Sequence, residues 1–329
     1  MNRGVFLVSI VLIASVFAAI LILVLPRGAA PLGPRVDNGG PAEQPDGRGK
    51  NTKPRKWDPG KGTAPKAGQE YTNPADGSVL VWIPGGSFLM GRDAGDAPED
   101  EQPRSKIRVQ GFWCGKYEVT NKQYKKFLAA TKAAQYYESP YADEAEFNAD
   151  DQPVVSLRWG EALAYATWAK LRLLTEAEWE YVAAAGKQFE YPTATGQISH
   201  ELANYIGAPP GSRGGKWKGV TAPVGSFPPN PWGIYDLGGN AWEHTSSAFK
   251  EYPYSATDGR ENLMRGQGHA GMRVMRGGCW HFGADQCRTT YRHRIQAHLR
   301  LDFVGLRVAA TRIEGADTGE GETGEGGEE

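Results

Sequence analysis

The chain has 329 residues, with 37 Lys and Arg against 38 Asp and Glu and a formal net charge of −1. No nucleic-acid partner is expected, because the basic residues gather in the segment 27–69 without interleaved aromatics and the remainder carries no basic stripe. The length would allow two domains, but only about three quarters of it has the composition of a core.

The segment 1–26 is hydrophobic, and Val5 to Leu25 carries no charge. Its roughly 20 residues match a bilayer-spanning helix better than the ~7–15 apolar residues of a signal peptide. An uncleaved membrane anchor is therefore expected, with a cleavable signal ending at Ala18-Ala19 or Ala29-Ala30 as the competing reading. No cysteine follows the run, which excludes a lipoprotein. Arg3 before it and Arg27 and Arg35 after it leave the positive-inside rule silent.

Residues 27–69 are rich in Pro, Gly, Lys and Asp with hardly a large apolar side chain, too few to offset the entropy of ordering, so a disordered linker is expected. It is long enough to act as a stalk. Residues 314–329 form an acidic low-complexity tail. The folded unit is expected at 70–313. It shows no repeat of 20–50 residues, so a solenoid or propeller is not expected. Ten Trp and 43 Gly with few long periodic segments suit an α+β fold of short strands and much ordered loop.

Within that unit, Val79 to Pro84 and Ile107 to Phe112 read as strands. Thr120 followed by Gln123 is a capping-box pattern, with Tyr124, Phe127 and Leu128 on one face, which predicts a helix over 121–131. Ser156 is placed to cap a second helix through about Lys170, with Trp159, Ala162, Leu163, Ala166 and Ala169 as its buried stripe. Thr175 with Glu178 predicts a third, running to Ala185 and stopped by Gly186. Val274 to Arg276 and Gly305 to Ala309 read as strands flanking a long loop-rich stretch.

Several segments resemble, in order, the sulfatase-modifying-factor or formylglycine-generating-enzyme family. They are Val81-Trp-Ile-Pro-Gly-Gly-Ser-Phe-Leu-Met-Gly91, Tyr117-Glu-Val-Thr-Asn121, Leu173-Leu-Thr-Glu-Ala-Glu-Trp-Glu-Tyr181, Ala222 to Asn230 with Tyr235 to Glu243, and the closing Arg276-Gly-Gly-Cys-Trp280 and Gly305-Leu-Arg307. The resemblance implies an irregular, loop-rich variant of the C-type lectin fold. It also supports placing the domain outside the cytoplasm, periplasmic or at the cell surface, because the family commonly works in exported compartments. Trp179 and Tyr181 read as core aromatics.

Asp236 and Glu243, seven apart with glycines between, suit a hard cation taking ~6–8 oxygen ligands, against the plainer reading of a glycine turn with solvated acids. The resemblance implies that both side chains bind calcium with the carbonyls of Gly239 and Ala241. A second family calcium site would use Asn204 and Tyr205; Lys216 occupies its acid position, so that site is expected to be lost. The family enzymes bind copper(I) through two cysteines four and nine positions after the Gly-Gly pair. Here Cys287 matches the second, but Phe282 occupies the first and Cys279 replaces a pocket serine. Copper(I) selects soft thiolates, so the usual copper pair is not expected.

Cys279 and Cys287 leave three readings open: a disulfide, a displaced metal-binding pair, or two unpaired buried thiols, with Cys114 making the total odd. The disulfide is the expectation. His281, His293 and His298 lack ligand spacing and read as surface or loop residues. The expected function is a non-catalytic module binding a protein or peptide partner, using Tyr291, His293, Arg294, His298 and Arg300, whose alternative role is to pack the last strand pair. The rival is a formylglycine-generating oxidase working from Cys287. A third reading, the iron-dependent sulfoxide synthesis of distant relatives of the family it resembles, is not expected, because it normally needs a further helical iron-binding domain in front, for which the linker leaves no room.

Overall fold

The computed structural model describes residues 65–313 except 94, 96, 134–143, 208–214, 218 and 264–270. The expected membrane segment, nearly all of the expected linker and the acidic tail lie outside the described residues. Among those described, no helix is long and apolar enough to cross a membrane.

Among the described residues three sheets organise the domain, giving the mixed helix and strand content expected. A five-stranded sheet runs in the order β1 (Glu70–Thr72), β2 (Val79–Ile83), β5 (Phe112–Gly115), β11 (Val308–Ala310) and β6 (Arg172–Leu173). A four-stranded sheet runs β10 (Val304–Leu306), β7 (Trp242–Ala248), β8 (Met272–Arg276) and β9 (His293–Gln296), with β10 parallel to β7. Strands β3 (Gly86–Met90) and β4 (Ser105–Val109) form a separate antiparallel pair. Among the described residues the α-helices are α1 (Asn121–Thr131), the short α2 (Ala145–Asn148), α3 (Trp159–Trp168) and α4 (Glu176–Ala184).

Helices α1 and α4 start where their sequence predicts. In both, the Thr hydroxyl accepts the backbone N–H three residues on while that residue's side chain accepts the Thr N–H. The stop after α4 also holds, with Ala185 (φ 44°) and Gly186 (φ 68°) both left-handed. Helix α3 starts later than predicted. Ser156 sits at φ 63° outside the helix, and the Arg158 N–H is taken by Glu161 Oε2 at 2.8 Å instead. The strand predicted over 107–112 is the join of β4 and β5, broken at Gln110-Gly111. There Gly111 lies so close under the Trp82 ring that a Cβ would stand 2.7 Å from it. The strand predicted over 305–309 is likewise two, β10 and β11, which leave one sheet for the other at Arg307.

Large aromatic side chains fill the interior. Trp113, Trp179 and Trp242 are almost fully buried, each within a different apolar cluster. Charge is buried as well. Arg276 pairs with Glu180 and lies 3.5 Å from Glu176, and Arg292 clasps Glu176 at 2.5 and 3.0 Å. All are inaccessible to solvent or nearly so, a costly arrangement that holds only while each partner is present.

Candidate functional site

The loop Tyr235–Ala241 places backbone where side chains would not fit. Asp236 (φ 58°), Gly239 (φ 89°) and Asn240 (φ 61°) are left-handed, and a Cβ on Gly239 would stand 2.3 Å from the Asn204 carbonyl oxygen. The Gly239 N–H donates to Gly277 O at 2.7 Å and the Asn240 N–H to Asn204 O at 2.8 Å. The curled loop directs its groups at Glu118, an acid of the Tyr117-to-Asn121 motif. Glu118 accepts the Asn240 side-chain amide at 2.6 Å and the Ala241 N–H at 3.0 Å.

Glu243, at the start of β7, accepts the Trp179 indole N–H at 2.7 Å and the Arg307 guanidinium at 2.6, 3.0 and 3.1 Å. Arg307 also donates to the carbonyls of Gly115 and Tyr235 at 3.0 and 2.8 Å. Asp236 accepts the Gly225 N–H through Oδ2 at 2.6 Å, while its buried Oδ1 has no hydrogen-bond partner.

Three buried carboxylates thus face one guanidinium. Burial, reinforced by the charges of Asp236 and Glu243, holds Glu118 well above the usual carboxylate range. Burial also raises Asp236 to about 6. Two negative charges are left over if all three acids ionise, so the cluster must take up protons or a divalent cation. The orphaned Asp236 Oδ1 is an acceptor of the hard-oxygen type calcium uses and fits that ion, whereas both Glu243 oxygens are engaged by Trp179 and Arg307 and would serve calcium only by sharing them. Among the described residues no three His, Cys, Asp or Glu side chains form a metal cage, a condition that two carboxylates plus carbonyls do not require. Sequence reading had Asp236 and Glu243 but passed over Glu118 and Arg307. The signal for both was present, since each lies inside a motif block.

The residues of the second family site make the following contacts. The Asn204 amide donates to Val220 O at 2.9 Å and Asn240 Oδ1 at 3.2 Å, Tyr205 stacks on His200 at 4.4 Å, and the Lys216 ammonium lies 4.6 Å above the Trp217 ring.

Cys279 and Cys287 are free, buried thiols, as is Cys114, so the expected bridge is not formed. Each sulfur is occupied locally. Cys279 Sγ accepts the His281 N–H at 3.4 Å, and Cys287 Sγ donates to Gly283 O at 3.8 Å and sits against Gly278, where a Cβ would meet it at 2.7 Å. Burial pushes both thiols up, the reverse of what a thiolate nucleophile or ligand needs. Phe282 packs edge-on against Phe303 at 5.1 Å. These residues do not fit a two-thiolate copper site.

The candidate recognition residues are mostly engaged internally. Tyr291 and His293 pack on Trp242 at 5.9 and 5.6 Å, and Arg300 pairs with Glu161. Arg294 is exposed, its guanidinium 5.0 Å from the Phe249 ring centre. His293 belongs to β9 rather than to a loop; His298 is in a turn after that strand, and His281 is exposed and stacks on Phe303 at 6.0 Å.

Comparison with known proteins agrees with this architecture. The family model described as the sulfatase-modifying factor enzyme 1-like domain matches residues 64–312. Formylglycine-generating enzyme of Mus musculus is 29% identical over 299 residues, covering 72% of this chain and 76% of that protein. Serine/threonine-protein kinase pkn1 of Chlamydia caviae is 31% identical over 248 residues, covering 70% of this chain but only 37% of the kinase. The solved structure of PvdO from Pseudomonas aeruginosa superposes with a TM-score of 0.62 at 27% identity, covering 76% of this chain and all of that one.

Proposed function

This chain belongs to the sulfatase-modifying factor enzyme 1-like domain family, and from that premise we propose that it is a non-catalytic, calcium-stabilised module that binds a protein or peptide, held at a membrane with its domain outside the cytoplasm. Phe282 carries the reading. It fills with a packed ring the position where the family resemblance calls for a thiol, and the two sulfurs that remain are buried and held protonated. Calcium would be held by Asp236 and Glu243 with the carbonyls of Gly239 and Ala241, and Glu118 lies beside them. It would supply positive charge to a cluster that has one guanidinium for three carboxylates. The membrane anchor rests on the uncharged run Val5 to Leu25, and the placement outside the cytoplasm on the stalk-like stretch that follows it.

The test is incubation of the protein with a cysteine-containing sulfatase peptide, copper(I) and oxygen. No formylglycine is expected. Turnover that disappears in Cys287→Ser would instead establish an oxidase working from Cys287.

A further inference from the structure

A cavity of about 330 Å3 opens beside α2, at the lower end of the ~300–1,000 Å3 range typical of ligand sites. Among the described residues its walls are Glu146, Gln152, Lys216, Trp217 and Val220. The walls are held from behind. Glu146 precedes Phe147, whose ring meets Trp280 edge-on at 5.5 Å and whose carbonyl accepts the Asn121 side-chain amide at 2.7 Å. The Gln152 N–H donates to Ala149 O at 3.1 Å, and the Gln152 carbonyl accepts the Asn121 N–H at 2.9 Å. The Val220 N–H donates to Trp217 O at 3.0 Å, and the Val220 carbonyl accepts the Asn204 amide at 2.9 Å.

Three polar groups in this frame lack a partner of the kind they need. Gln152 is 4% exposed, and its buried Oε1 accepts no hydrogen bond. Folded proteins seldom leave a buried side-chain acceptor so, and a donor carried in by a ligand would satisfy this one. Glu146 and Lys216 are exposed at the same cavity, yet among the described residues neither is in a salt bridge. The Lys216 ammonium lies 4.6 Å above the Trp217 ring, which orients it without neutralising its charge. The cavity therefore offers acceptors for an ammonium at Glu146 and Gln152, donors for a carboxylate at Lys216, and apolar surface at Trp217 and Val220. A ligand of one sign would leave one of the two charges unanswered and be repelled by the other.

We propose that this cavity binds a small zwitterion, an ammonium and a carboxylate carried on an apolar frame, as in a free amino acid or a dipeptide. Its ammonium donates to the Glu146 carboxylate and the Gln152 Oε1, its carboxylate accepts from Lys216, and its apolar part lies against Trp217 and Val220. Both ends then make charge-assisted hydrogen bonds, the stronger kind. The assignment is independent of calcium and of the cysteines.

The test is isothermal titration calorimetry on the full chain in detergent micelles, with L-leucine and L-leucyl-L-leucine as probes. Saturable binding is expected; tighter binding of leucine identifies a free amino acid as the ligand, tighter binding of the dipeptide a peptide zwitterion. Leucinamide, which has no carboxylate, and N-acetyl-leucine, which has no ammonium, should each bind at least ~10-fold more weakly than leucine. Lys216→Met should remove leucine's advantage over leucinamide, and Glu146→Gln its advantage over N-acetyl-leucine. Both side chains are exposed, so neither substitution disturbs the core. Gln152→Met should weaken leucine as well. No saturable binding of either zwitterion, a blocked compound that binds as tightly as leucine, or Lys216 and Glu146 variants that discriminate as the natural chain does would overturn the assignment.

Discussion

Replacing Arg307 by Met tests whether the buried carboxylate cluster is held by charge. Arg307 is fully buried and carries the guanidinium that clasps Glu243. Removing one partner of such a pair costs ~3–5 kcal/mol, because the other charge is left desolvated. The carbonyls of Gly115 and Tyr235 lose their donor as well, at about 1 kcal/mol each. The total of roughly 5–7 kcal/mol is comparable with the whole stability of many domains, ~5–15 kcal/mol. At ~2–4 °C per kcal/mol for a domain of this size, the midpoint should fall by ~10–28 °C in calorimetry, measured in chelator so that no cation compensates. The double variant Arg307→Met with Glu243→Gln removes the stranded charge and should recover at least ~2 kcal/mol of the loss. A loss below ~2 kcal/mol for Arg307→Met, or a double variant no more stable than the single one, would refute the argument.

Calcium added to chelator-treated protein should raise the melting temperature, by the equivalent of ~2.7 kcal/mol at a hundred times its dissociation constant, and Asp236→Ala or Glu243→Ala should abolish the rise. An unchanged wild-type midpoint would leave the loop a glycine turn with protonated acids. Burial lowers the His244 imidazole to about 4, with its Nε2 against Leu157 O at 2.9 Å and Nδ1 unpartnered. The folded state therefore keeps it neutral, so its stability contribution is present above the unfolded value of 6.5 and is lost as pH falls toward 4. That amounts to roughly 3 kcal/mol, and urea unfolding between pH 7.5 and 4.5 should show a flatter acid limb in His244→Gln; a parallel limb would assign the loss to other groups. Burial pushes Cys114 up to about 12 and raises Cys279 and Cys287 too, so native protein should resist thiol reagents at pH 8 and yield three thiols once unfolded. Fewer than three would mean that a bridge forms.

The parts legible in the sequence were those fixed by neighbours along the chain. The capping boxes at Thr120 and Thr175 each close within four residues, so both helices could be placed without knowing what they pack on. Strand boundaries near 110 and 307 could not, because they depend on distant partners. The break at Gly111 is imposed by the Trp82 ring, and the switch at Arg307 by a carboxylate 64 residues away. The acid pair of the candidate site was visible as spacing, whereas its burial and the arginine facing it were tertiary facts. The cysteine pair shows the reverse limit: eight residues permit two sulfurs to meet, but the local contacts at His281 and Gly283 decide where each one points.

Strand β11 lies between β5 and β6 in the five-stranded sheet, so the last of that sheet's strands in chain order fills a position near its middle. During synthesis, β5 and β6 leave the ribosome with those edges bare. Val308 follows Leu173 by 135 residues, which at ~5–20 residues per second is an interval on the order of ten seconds. Through that time the nascent chain carries two unpaired strand edges, an open template for wrong pairing. The same placement means that a stop codon just ahead of Val308 would remove a near-central strand, and with it the link that joins β6 to the rest of the sheet.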